Sequence, residues 1–207
     1  MNWPATCSTA LKEWASICQV LESGRQTILL RKGGLADIRP GFDAPCRHFW
    51  LYPTHFHETS QGTVELPPSR PAALPQQAEL DRSTLESPPA QTPGGLVPIR
   101  LLAEVVETRE LLREEEALAL AGHHAWTEAT IRQRFAYRRP GLWLLVVRVY
   151  RRQEPWEVVE SAAMAGCKSW VTLPAALPTT DLVPVLDDQA FAQAVDAIHA
   201  ALERVRP

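Results

Sequence analysis

Apolar residues recur at helical spacing near the start of the chain. Leu11, Trp14, Cys18 and Leu21 fall on one face, and this spacing predicts a helix over 9–23. Ser8 or Thr9 can cap its start, and Gly24 stands where a left-handed stop is expected. The run Thr27, Ile28, Leu29, Leu30 and Arg31 predicts a strand, which Lys32, Gly33 and Gly34 close in a tight turn. Phe49, Trp50, Leu51 and Tyr52 predict a second strand, stopped by Pro53. A third strand is predicted over 99–105 and an acidic-started helix over 110–121. Thr127 can cap another helix that runs through Tyr137. Residues 142–150 are strongly apolar and β-branched, as a central strand requires. One more strand is expected within 164–173. Asp187 caps a final helix whose apolar face is Phe191, Val195, Ile198 and Leu202.

Between 67 and 98 the pattern breaks. Prolines at 67, 68, 71, 75, 88, 89, 93 and 98 punctuate a stretch rich in Ser and Gln. It reads as a proline-rich, partly flexible insertion with a short helix over 76–85. Strands and helices do not alternate strictly along the rest. The expectation is therefore a single α+β domain over 1–207, with a mixed or mainly antiparallel sheet flanked by helices.

Composition narrows the function classes. The chain has 207 residues, 45% of them hydrophobic, which suits one domain with an ordinary core. A formal net charge of -3 gives no global pull toward nucleic acid or anionic membranes, so any such partner needs a local basic patch. Four cysteines form no C-x-x-C pair and match no zinc template. Lys12 and Glu13 interrupt the apolar run that a secretory signal would require. No stretch approaches the roughly 20 apolar residues that span a bilayer. A cytoplasmic protein without a membrane partner is the expectation.

Four clusters exceed what packing needs. Arg31 and Lys32 beside Gly33 and Gly34, with Asp37 following, can present charge and bare amides to an anion; they also read as a polar hairpin tip. If the second strand continues past Pro53, His55 and His57 share a face, and with Glu58 or His48 they begin a metal site; the aromatics beside them read equally as core. His124, before the Thr127 cap, is either a further ligand or a hydrogen-bonded structural group. Gly166, Cys167, Lys168, Ser169 and Trp170 place a thiol, an amine and a hydroxyl together. Cys167 beside Lys168 is a candidate nucleophile, and Lys168 over Trp170 a candidate anion contact.

Several motifs in order resemble the bacterial domain-of-unknown-function family numbered 1802. They are Ala10-Leu11-Lys12-Glu13-Trp14, Leu29-Leu30-Arg31-Lys32-Gly33-Gly34-Leu35 and Phe49-Trp50-Leu51-Tyr52-Pro53-Thr54. They continue in His124-Ala125-Trp126-Thr127, Arg148-Val149-Tyr150, Gly166-Cys167-Lys168-Ser169-Trp170 and Val185-Leu186-Asp187. Glu58 stands where the family usually carries a glutamine after the histidine that His57 matches. The resemblance implies no established activity. Some members are associated with restriction-endonuclease-like domains, which implies nucleic-acid handling or phage defence.

Three functions follow as expectations. The first is nucleic-acid association, with Arg31, Lys32, Gly33, Gly34 and Lys168 on phosphates and Trp50, Tyr52 or Trp170 as stacking surfaces. The basic residues Arg132, Arg134, Arg138 and Arg139 would extend that patch. The second is a metal-dependent phosphodiesterase, with Asp37, His57, Glu58 and His124 around a divalent ion. The third is an interaction protein without chemistry, its partner docking on 67–98 or on Glu114, Glu115 and Glu116. Lys32, Tyr52, His57 and Lys168 are expected on one shared surface.

Overall fold

The computed structural model describes residues 4–32, 47–55, 62–63, 66, 94–166 and 168–206. The elements run β1 (Thr6–Trp14), α1 (Ala15–Glu22), β2 (Ile28–Arg31), β3 (His48–Thr54), β4 (Leu96–Leu111), α2 (Glu114–Ala119), α3 (Glu128–Ala136), β5 (Leu142–Val159), β6 (Trp170–Pro178), β7 (Val183–Pro184) and α4 (Asp188–Glu203). The strands form one sheet in the order β2-β5-β4-β3-β1-β6, with β7 added beside β5. Every pairing is antiparallel except β1 with β3. The protein is an α+β domain with a mixed, mainly antiparallel sheet, as its pattern predicts.

Strand alternation divides the core in two. Leu11, Phe49, Leu51, Ala103 and Val105 point to a large core that also takes Ile17 and Leu21 of α1, Ile131 and Phe135 of α3, and Phe191 and Ile198 of α4. Their neighbours Ala10, Trp50, Tyr52 and Leu102 turn to a smaller core with Cys7, Ile99, Val158, Met164 and Val171. The helices therefore cover one face of the sheet.

The predicted helix over 9–23 is corrected. Residues 6–14 form β1, and only 15–22 are helical. Leu11 and Trp14 do share a core, but Trp14 reaches it from an extended junction at φ -61 and ψ 140, not from a helix. The extended form is held by long-range hydrogen bonding, to β3 on one side and β6 on the other. Local spacing carries no trace of those partners.

Other boundaries move for similar reasons. Pro53 does not stop β3, which runs on to Thr54. The described pairing of β3 with β4 ends at Trp50, so the missing amide of Pro53 interrupts no ladder there. Glu110 and Leu111 close β4 opposite Trp143 and Leu142, and the helix expected from 110 begins at Glu114. Leu96, Val97 and Pro98 belong to β4 rather than to the proline-rich insertion, whose residues 67–93 lie outside the described residues. β5 extends nine residues beyond the predicted 150, to Val159. The caps at Thr127 and Asp187 accept from the amides of Thr130 and Ala190 as expected.

Candidate nucleic-acid interface

β1 ends within reach of Arg31 of β2, although the two strands are not neighbours in the sheet, and polar residues gather there. On the helix-covered face, both oxygens of Glu13 are engaged. Oε1 accepts from the Trp14 amide at 2.9 Å and Oε2 from Arg31 Nη1 at 2.8 Å. Arg31 also donates to the Lys12 carbonyl at 3.2 Å, tying β2 to β1 across the end of the sheet. Above them lies Arg134 of α3, its guanidinium 4.9 Å from the ring centres of both Trp14 and Trp126. Burial lowers the Arg134 pKa, Glu13 raises it, and Arg31 lowers it.

Lys32 continues this cluster outward. Its ammonium donates to the carbonyls of Phe135 at 2.7 Å and Gly141 at 2.9 Å, and to that of Arg139. These are carbonyls at the end of α3 and of the turn after it, and that of Phe135 also accepts from the Gly141 amide at 3.2 Å. One cation thus fixes the turn. Arg138 takes a left-handed φ of 61° there, a conformation that costs a non-glycine residue energy and persists only where its surroundings hold it. Tyr137, Arg138 and Arg139 are all exposed at this point. Arg138 lies 5.1 Å over the Tyr137 ring, and Arg139 pairs with Glu110 at 3.1 Å. Arg132 is committed to Glu114 and Glu128 on the helix surface.

The opposite face of β1 holds a second polar group. Lys12 Nζ lies 3.8 Å from Glu160, 3.3 Å from the Gly166 carbonyl and 5.3 Å over the Tyr52 ring. Tyr52 is fully buried, and its hydroxyl faces Glu160 without reaching good hydrogen-bond geometry. Burial, reinforced by the negative charge of Glu160, pushes this phenol up, so it stays protonated. Lys168 donates to the Ala163 carbonyl at 3.0 Å in the loop that carries Glu160 and Gly166.

The expected site residues are therefore divided. Lys32 serves the α3 exit, Lys168 the loop at 160–169, and Tyr52 the smaller core, so the structure does not bring them to one surface. Trp50 is also fully buried, its Nε1 donating to the Cys7 carbonyl at 3.1 Å, and neither ring offers an open face to a base. Trp170 meets the Phe49 ring edge-on at 4.9 Å. Gly33, Gly34, Asp37, His57, Glu58 and Cys167 lie outside the described residues. His124 is buried, and its Nδ1 accepts from the Trp126 amide at 3.2 Å. Burial, with His123 beside it, lowers its pKa to about 4, so the ring is neutral. Among the described residues no three His, Cys, Asp or Glu side chains group to hold a metal ion.

Sequence reasoning missed Lys12, Glu13, Tyr137 and Glu160. Lys12 and Glu13 stood inside a predicted helix, where charged residues read as a solvated face. Their adjacency within a strand places one on each side of the sheet, where Glu13 is buried and Lys12 partly buried.

Residues 10–197 match the sequence pattern of the domain of unknown function DUF1802. The chain belongs to that family. Comparison with curated proteins gives no match. Among solved structures, this DUF1802 domain is similar to ASCH from Zymomonas mobilis, with 12% identity over 91% of this chain and 93% of that one, at a TM-score of 0.37. A tyrosine-to-phenylalanine mutant of the same protein gives 10% identity over 91% and 96%, at 0.40. A serine-to-alanine mutant gives 12% over 93% and 97%, at 0.36. Likeness at this level says nothing about the site. No helix among the described residues is long and apolar enough to cross a membrane.

Proposed function

We propose that the protein binds nucleic acid and that the exit of α3 is its contact surface. The observation that carries this reading is the turn at Tyr137, Arg138 and Arg139, held open to solvent by the three carbonyl contacts of Lys32. It combines two cations with an aromatic ring, the pairing that single-stranded nucleic acid uses for phosphate contact and base stacking. Arg31, Lys32 and Arg134 lie behind it and supply positive potential against Glu13 and Glu110. This is the local basic patch that a chain of net charge -3 needs for such a partner. The Arg139–Glu110 pair is exposed, and a surface pair of this kind contributes little and exchanges readily for a phosphate. A role in restriction or phage defence is the finer reading, and only the family resemblance supports it.

The test is fluorescence anisotropy with short single- and double-stranded DNA and RNA at low and physiological salt. Saturable binding that weakens steeply with salt is expected, tightest for a single strand. The double variant Arg138→Glu, Arg139→Glu should weaken it and reduce the log–log salt slope by roughly one to two units. Tyr137→Ala should lower affinity without changing that slope. No saturable binding to any polymer, or equal affinity in the double variant, would overturn the reading.

A further inference from the structure

A second concave site lies far from the α3 exit. Along the β4–β5 pairing Leu101 faces Arg151, but the next paired residue, Ile99, faces Trp156. Five residue steps on β5 thus oppose two on β4, so three residues are extra. An insertion of this kind bends the strand and re-aims its side chains. The bulge and the short strand β7 enclose a groove of about 520 Å³ lined by Arg100, Arg151, Arg152, Glu154, Asp181 and Val183, with Gln153. That volume lies within the range of small-ligand pockets. Arg151 is nine residues along β5 from Leu142, roughly 30 Å from the α3 exit at strand spacing.

The groove is lined by three guanidinium groups. Arg152 is held rigidly, 4.2 Å over the Trp156 ring, with its guanidinium donating to the carbonyls of Glu154 at 3.0 Å and Thr180 at 3.1 Å. Arg100 donates to Glu22 at 3.1 Å and to the Gln153 carbonyl at 2.6 Å, which anchors the bulge. Yet Arg100 Nε is buried without a hydrogen-bond partner among the described residues, and so is Nε1 of Trp156 beneath Arg152. Arg151 is half exposed, and its carboxylate contact is Glu22 at a loose 3.9 Å. Two carboxylates, Glu154 and the left-handed Asp181, share the lining, so the groove also accepts from hydroxyl or N–H groups. Val183 adds an exposed apolar wall.

We propose that this groove binds a phosphate ester of a polyhydroxylated small molecule, a sugar phosphate or a nucleoside monophosphate. The three arginines take the phosphate, Asp181 and Glu154 accept from the hydroxyls, and Val183 lies against the carbon skeleton. The site stands apart from nucleic-acid binding at the α3 exit.

Isothermal titration calorimetry on the full chain, with inorganic phosphate, ribose 5-phosphate and adenosine 5′-monophosphate, tests it. Both esters are expected to saturate and to bind more tightly than inorganic phosphate. A tighter monophosphate would mark a nucleotide site, and equal affinities a sugar-phosphate site. Arg151→Glu alters an exposed side chain and should weaken both esters roughly ten- to hundredfold at unchanged melting temperature. Asp181→Asn should weaken the esters but not inorganic phosphate. Arg138→Glu, Arg139→Glu should leave all three titrations unchanged. Absence of saturable ester binding, equal affinity in Arg151→Glu, or inorganic phosphate binding as tightly as the esters would overturn the assignment.

Discussion

Lys12 and Glu13 are neighbours on one strand, Glu13 buried and Lys12 partly so, and the sheet faces they point to are built differently. Glu13 has each carboxylate oxygen in a short hydrogen bond, and the Arg31 that it holds also bonds the backbone of β1. On the other side, Lys12 and Glu160 approach only to 3.8 Å, and the Tyr52 hydroxyl meets Glu160 without good hydrogen-bond geometry. The first arrangement locks β1, β2 and α3 together at the sheet end that carries the proposed nucleic-acid surface. The second fastens a loop by longer contacts, with Gly166 at a φ of 82° in the turn. Structural weight therefore follows satisfied hydrogen bonds as well as burial.

The largest expected effect is at Glu13. Glu13→Ala removes the acceptor of the Trp14 amide and leaves Arg31 and Arg134 without their carboxylate. Breaking a buried ion pair from one side costs about 3–5 kcal/mol. Urea unfolding should show a loss of that order, whereas Lys12→Met, on the looser face, should cost no more than about half as much. Equal losses would erase the distinction between the faces.

How legible this was from sequence follows from the same two residues. Capped and locally patterned elements were readable: Thr127 and Asp187 announce α3 and α4, and the β-branched run from Leu142 announces β5. β1 was not, because Leu11, Trp14, Cys18 and Leu21 fit a helix while the competing hydrogen bonds come from Trp50 to Thr54 and from Trp170 to Pro178. With the strand lost, Lys12 and Glu13 lost their faces, and the ion clusters around them became invisible. The bulge in β5 was illegible for a related reason. Arg151 to Pro155 breaks the apolar pattern, but only the partner strand shows that three of its residues are extra. Lys32 stands out in the sequence by its type and its glycine neighbours, yet its contacts depend on a turn more than 100 residues away.

A smaller effect distinguishes the helix-covered face by pH. His124 lies there against Trp126, with ring centres 6.4 Å apart, and is neutral because burial, with His123 beside it, lowers its pKa to about 4 from 6.5. The unfolded chain binds this proton first as pH falls, so the stability tied to the neutral ring is present above about 6.5 and lost on the way down to about 4. The shift corresponds to about 3 kcal/mol. Carboxylates titrate in the lower part of the same window, so the comparison is with His124→Gln. Unfolding free energies at pH 7 and pH 4 should differ by less in that variant. An unchanged difference would mean that the ring carries its proton within the folded protein.

The smallest expected effect belongs to the looser face. Tyr52→Phe removes a fully buried hydroxyl whose approach to Glu160 lacks good hydrogen-bond geometry, and leaves the ring under Lys12 in place. A buried donor that makes no bond carries its full desolvation cost, so its removal should be neutral or stabilising by about 1 kcal/mol. A loss of more than about 1 kcal/mol would mean that the hydroxyl bonds Glu160 in solution and that this face is as tightly satisfied as the other. The comparison would then rest on geometry alone, and Lys12, Tyr52 and Glu160 would have to be counted as one network. A neutral result at Tyr52 beside a large loss at Glu13 would instead locate the rigid end of the sheet where Arg31, Arg134 and Lys32 hold the α3 exit in place, and would leave the loop at 160–169 as the part of the molecule free to adjust.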